Sequence, residues 1–218
     1  MSEKCFSGKT VEILKKVRKQ HPLIHHITNF VVMNSTANTT LAIGASPIMA
    51  QAHEEMADIS AFTGALVLNI GTLNTYWVDS MIAAGKAAGK RGIPVIFDPV
   101  GSGATAFRTE AAKRILAEVP VTVIRGNASE VMSLFGKADE IRIRGVDSLE
   151  TVDAVREGAS GLAKNLKKVV AVTGEVEIRI GGEIRITKHG QISSFVLALG
   201  FGRLIGAFWC FLGVAVCL

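Results

Sequence analysis

The chain has 218 residues, of which 49% are hydrophobic, and its 24 Lys and Arg against 19 Asp and Glu give a formal net charge of +5. One sizeable core, and so a single domain over residues 1–218, is expected from that length and apolar content. The basic residues are scattered through helical patterns such as Lys15 to Lys19 and nowhere interleave with aromatics, which describes a solvated face and argues against a nucleic-acid surface.

The first element, Thr10 to Gln20, is a basic amphipathic helix with Val11, Leu14 and Val17 at helical spacing. The N-terminal stretch is too charged for the apolar core of a signal peptide, and Cys5, Cys210 and Cys217 have neither metal nor redox spacing, so a cytoplasmic location is expected. A short strand, Leu23 to Ile27, runs toward Asn29. Val31 to Ile43 reads as a helix, Ser46 to Ala50 as a strand, Glu54 to Phe62 as a helix, and Ala65 to Ile70 as a buried strand ending in Gly71-Thr72. The alternation continues with a helix at Tyr76 to Ala88, a strand at Pro94 to Phe97 that stops at Asp98, and a turn containing Gly101 and Gly103. Next come a helix at Arg108 to Glu118, a strand at Val121 to Ile124 ending in Arg125-Gly126-Asn127, helices at Ala128 to Phe135 and Ser148 to Leu166, and a strand at Val169 to Val172 ending in Thr173.

Strands that alternate with helices over short connections must run parallel through right-handed crossovers, which places helices on both faces of one sheet. The fold class is α/β. Val176 to Ile186 departs from the pattern, because two alternating runs flank Gly181-Gly182 and predict an antiparallel hairpin. Beyond Gln191, Arg203 is the single charge. Three readings fit that tail: a membrane span, which Arg203 disfavours, a buried helix at Leu204 to Leu218, or a chain that stops short or changes frame. No membrane partner is expected.

In a parallel sheet the carboxyl ends of the strands share one edge, so Asn29, Met49, Gly71-Thr72, Asp98, Arg125 and Thr173 are expected along one crevice. Their chemistry is complementary. The Asp98 carboxylate, with Glu130, suits Mg²⁺, while the Arg125 fork and the Thr173 hydroxyl suit phosphate oxygens. The glycines at 101 and 103 are expected to bring backbone N–H groups to an anion. Taken singly, each residue has an ordinary alternative: Asp98 before Pro99 can start a turn, Arg125 can be a surface charge, and Met49 can be core. Neither G-x-x-x-x-G-K-[ST] nor G-x-G-x-x-G occurs, which excludes a Walker loop and the dinucleotide fingerprint. His25 and His26 have no partners at metal spacing and receive no role.

The stretches HHITNFVVMNSTANTTLAIGASPIMAQAHEEMADI, ALVLNIGTL, PVIFDPVGSGATAFRTE, VIRGNASE and VAVTGEV, from about Pro22 to Val176, resemble the hydroxyethylthiazole kinase family. The resemblance implies a ribokinase-like fold and Mg²⁺-dependent transfer of the ATP γ-phosphoryl group to 4-methyl-5-(2-hydroxyethyl)thiazole, in a homotrimer with sites between subunits. It places Met49 and Asn29 in the thiazole pocket, Arg125 and Thr173 on ATP, and Asp98 and Glu130 near the metal. The family's Gly-x-Gly-Cys turn, which cradles the transferring phosphate, has as its nearest counterpart Gly200-Phe201-Gly202-Arg203. Gly200 then lies at substrate, and the catalytic candidates are Asp98 and Arg203, the latter at the Cys position, where it can contact phosphate although its pKa bars it from acting as a base. Family members continue through further helices, which this chain is expected to lack. An altered turn leaves a second reading, a family member that binds thiazole or nucleotide without turnover.

Overall fold

The computed structural model describes residues 3–134, 160–161, 163–173, 176–181 and 183–188. Its elements in chain order are α1 (Glu3–Gln20), β1 (Leu23–Ile27), α2 (Met33–Ala42), β2 (Ser46–Ile48), a 3₁₀ turn (His53–Glu55), α3 (Met56–Ser60), β3 (Ala65–Asn69) and α4 (Thr75–Lys90). There follow β4 (Val95–Asp98), α5 (Ala106–Glu118), β5 (Val123–Asn127), α6 (Ala128–Leu134), β6 (Val169–Thr173), β7 (Val176–Gly181) and β8 (Glu183–Lys188). The sheet order is β2-β1-β3-β4-β5-β6-β7-β8. Strands β1 to β6 pair in parallel, and β7 and β8 extend the sheet antiparallel as the expected hairpin, with Gly181 opposite Glu183.

The central parallel strands β3, β4 and β6 are short, mostly apolar runs because both faces of the sheet are covered there. Alternate residues go to opposite sides. Leu66, Leu68, Val95, Phe97, Ile124, Val170 and Val172 join the larger core with Trp77, Val78 and Met81 of α4 and Ala112 and Ile115 of α5. Their strand neighbours Ala65, Ile96 and Val123 join a second core with Ile24, Ile43 and Val17 of α1. Helix α4 begins where the Asn74 side chain accepts the Trp77 N–H at 2.9 Å, and α5 begins where Thr105 accepts the Arg108 N–H at 3.3 Å. These side-chain caps satisfy amides that the first turn leaves without helical partners. Both helices thereby start directly over the carboxyl edge of the sheet.

Most boundaries shift by one or two residues, α1 starts at Glu3 rather than Thr10, and three differences bear on the site. Strand β2 stops at Ile48, and the helix expected from Glu54 opens as a 3₁₀ turn at His53. Strand β5 runs on through Arg125 to Asn127, because β6 pairs with it as far as Asn127 opposite Thr173. Arg125 is therefore held inside a strand rather than in the loop after it. Of the helix expected at Ser148 to Leu166, residues 160–161 and 163–166 are helical and the earlier part lies outside the described residues. The tail, with Gly200, Arg203 and the helix expected at Leu204 to Leu218, also lies outside them. Among the described residues no helix is long and apolar enough to cross a membrane.

Candidate active site at the carboxyl edge of the sheet

The core of the site follows from strand register. Asn69 and Asp98 are paired across β3 and β4, and Phe97 is paired with Ile124, so the next residues, Asp98 and Arg125, stand side by side. Arg125 Nη1 donates to Asp98 Oδ2 at 3.1 Å, with both side chains 15% exposed. Asn69 Nδ2 donates to the same oxygen at 3.0 Å, and Asn29 Nδ2 reaches Asn69 Oδ1 at 2.8 Å. Asp98 Oδ1 is buried and has no hydrogen-bond partner among the described residues. Burial pushes the Asp98 carboxyl up to about 6 against the opposing pull of Arg125, and the nearby Glu130 charge pushes in the same direction as burial. Removal from water outweighs the ion pair.

The turn after β4 is built for tightness. Ser102 N–H donates to Pro99 O and Ala104 N–H to Gly101 O, while Gly101 and Gly103 take φ values of +75° and +91°, a conformation other residues rarely adopt. Their N–H groups do not face an open anion site, as the sequence reading expected. Gly101 N–H donates to Glu130 Oε1 at 2.9 Å, and Gly103 N–H donates to Thr109 Oγ1 at 2.9 Å. The protein supplies its own acceptors, so these glycines shape the loop.

Glu130 occupies the first turn of α6 and is buried. Its Oε2 accepts the Asn127 N–H at 2.8 Å while Asn127 Oδ1 accepts the Glu130 N–H at 2.9 Å, a reciprocal cap that joins β5 to α6. Each Glu130 oxygen thus carries one backbone bond. Thr173, opposite Asn127, donates weakly to Gly126 O at 3.3 Å. Asn29, Asp98, Arg125, Glu130 and Thr173 consequently lie together along the rim of β1, β3, β4, β5 and β6.

Met49 lies farther out. It follows edge strand β2, three strand spacings or about 14 Å from β4 across the sheet. Its segment is held by an Ala50 O···His25 Nε2 contact of 2.9 Å. His25 and His26 are both buried, as core imidazoles; desolvation, then the His25 charge, lowers His26 to about 4.

Two residues at the site went unnoticed in the sequence. Asn69 is buried at the end of β3, where an amide interrupting ALVLNI was the available signal. Arg108 ties two loops together, its Nη1 donating to Ile70 O and Val100 O at 2.9 Å and its Nη2 to Gly71 O at 2.7 Å. A cation in the first turn of a helix, against the helix dipole, was its signal.

The donor set fits a hard divalent cation of the Mg²⁺ type. That ion keeps several waters and takes one or two carboxylates together with substrate phosphates. Asp98 offers one buried oxygen without a hydrogen-bond partner, and no group of three or more His, Cys, Asp and Glu forms a complete protein cage among the described residues.

A profile of the hydroxyethylthiazole kinase family matches residues 14–214. A hydroxyethylthiazole kinase from Desulfosudis oleivorans is 62% identical over 202 residues, covering 93% of this chain and 74% of the relative. A second, from Desulfotalea psychrophila, is 53% identical over 201 residues, covering 90% and 73%. The structure of a hydroxyethylthiazole kinase protein from Pyrococcus horikoshii superposes with a TM-score of 0.79 at 36% identity, covering 94% of this chain and 76% of that one. An adenosine kinase from Schistosoma mansoni, at 14% identity and a TM-score of 0.54, shares the fold.

Proposed function

The chain belongs to the hydroxyethylthiazole kinase family, and on that premise we propose that it phosphorylates the hydroxyl of 4-methyl-5-(2-hydroxyethyl)thiazole with ATP at the rim just described. The observation that carries the placement is Asp98, gripped through Oδ2 by Arg125 and Asn69 with its buried Oδ1 left without a hydrogen-bond partner among the described residues. The relatives' shared name gives no support to a family member that binds without turnover.

In the reaction the alcohol oxygen bonds to the γ-phosphorus as the bond from that phosphorus to the bridging oxygen breaks, releasing ADP and the hydroxyl proton. The transition state is loose, so alignment and charge stabilisation supply most of the catalysis. Arg125 brings a permanent cation to the rim on a backbone fixed in β5, its guanidinium held toward the site by Asp98. The Thr173 hydroxyl, weakly held by Gly126 O, can turn to donate to a phosphate oxygen. Asn29 and Met49 flank the thiazole toward the β1 and β2 side of the rim. Glu130 keeps the glycine turn and α6 in place behind the acidic group. Mg²⁺, when bound, neutralises and orients the phosphate oxygens, and Asp98 Oδ1, backed by Glu130, is the group that would hold it.

A homotrimer with its sites at subunit contacts belongs to the same proposal. Its support here is that Phe30 and Val31, the two residues after Asn29, are 63% and 76% exposed, an apolar pair beside the pocket that suits cover by a second copy. We assign the enzyme to the cytoplasm on the family relation.

The test is steady-state kinetics on Arg125→Ala and Asp98→Asn. Each is expected to lower kcat at least tenfold with far-UV circular dichroism unchanged, since a single lost charge-stabilising donor commonly costs about a hundredfold. Wild-type turnover in both variants would remove this site.

A further inference from the structure

Asn69 stands between the thiazole end of the rim and the phosphate end, and its amide can face only one way. The Gly71 N–H donates to Asn69 Oδ1 at 2.9 Å, and a backbone N–H has no acceptor role, so this oxygen cannot exchange places with the nitrogen. Nδ2 is thereby turned to Asp98 Oδ2 at 3.0 Å. Asn29 is fixed in the same manner. The Val32 N–H donates to its Oδ1 at 3.2 Å, which leaves Asn29 Nδ2 to donate to Asn69 Oδ1 at 2.8 Å. A single directed chain therefore runs from Val32 through Asn29 and Asn69 to Asp98, where Arg125 meets it from the other side.

The chain is buried at both amides, where an unmade hydrogen bond is costly and a satisfied network is rigid. It is also tightly walled: a Cβ on Gly71 would stand 2.7 Å from Asn29 Cβ and Nδ2. Asn69 thus engages Asp98 on one oxygen only, and that arrangement leaves the buried Oδ1 without a hydrogen-bond partner among the described residues.

We propose that Asn69 is a positioning residue for phosphoryl transfer, acting through Asp98 at the phosphate end and through Asn29 at the thiazole end. This role rests on the placement of Asp98 and Asn29 proposed above. It predicts two linked losses from one substitution.

The experiment compares wild type, Asn69→Ala, Asn69→Ser, Asn29→Ala, Asp98→Asn and the double variant Asn69→Ala/Asp98→Asn, the Ser variant covering the case in which the Ala variant does not fold. Calorimetric titration of the thiazole alcohol without nucleotide or metal reads the Asn29 arm, and kcat reads the Asp98 arm. Asn69→Ala or Asn69→Ser is expected to weaken thiazole binding five- to tenfold and to lower kcat at least tenfold, and the double variant is expected to be no slower than Asp98→Asn alone. Residues that act as a unit lose their effects together rather than in multiples. The proposal is overturned if the Asn69 variants keep wild-type thiazole affinity and kcat while Asn29→Ala and Asp98→Asn lose theirs, or if the kcat losses multiply in the double variant. Unchanged behaviour in Asn29→Ala and Asp98→Asn as well would bring down the site placement and this role with it.

Discussion

At Asp98 the cost of burial and the pull of Arg125 oppose each other, and burial prevails, raising the carboxyl from 3.8 to about 6. The folded protein therefore holds this proton more tightly than the unfolded chain does. Stability from Asp98 is fully present below pH 3.8 and is lost as the pH rises through about 6, a swing of about 3 kcal/mol at most. Urea unfolding of the metal-free protein checks the sign: the stability of Asp98→Asn relative to wild type should rise between pH 4 and 7, and a constant difference would contradict the assignment. A group that destabilises its own fold at working pH is expected where function requires charge. At this scale the residues that end apolar runs were legible, because Asn29, Asp98 and Thr173 stand where hydrophobic strands stop. Asn69 and Arg108 were not, because one sits within a run and the other looks like an ordinary helix charge until its carbonyl partners are seen.

Among the elements, the junction of β5 and α6 is the point at which the site depends on a cap. Glu130 closes the reciprocal bond with Asn127 and also holds Gly101 of the neighbouring turn, so its loss releases two backbone donors at once. Glu130→Ala is expected to cost about 1–2 kcal/mol, by analogy with other lost caps, measured as a lower urea midpoint at unchanged slope. Glu130→Gln, which preserves an acceptor, should recover part of that loss. A wild-type midpoint in Glu130→Ala would show that the loop is held by other means. The alternation of strand and helix and the antiparallel pair β7 and β8 were readable from periodicity. The reach of β5 was not, since its last three residues are polar or glycine and are kept extended by pairing with β6, a contact between segments 42 or more residues apart. The glycine turn was misjudged for a different reason: the acceptors for its amides are side chains, Glu130 on α6 and Thr109 on α5, which no backbone pattern of the turn itself announces.

For the whole molecule, six parallel strands between two cores bring residues from 29 to 173 to one rim, and that convergence was derivable from the handedness and direction of β-α-β crossovers alone. Assembly is a separate consequence. If Phe30 and Val31 are covered by a second copy, light scattering after gel filtration should give three chain masses, and Val31→Asp should shift the protein to one. A wild-type monomer that turns over would exclude a shared site.

The most direct measurement is to incubate wild-type protein and Arg125→Ala with ATP, Mg²⁺ and the thiazole alcohol and to follow the phosphate monoester by ³¹P NMR. The account predicts that the monoester and ADP accumulate in equal amounts with the wild type and at least tenfold more slowly with the variant. ADP without monoester, or equal rates from the two proteins, would contradict it.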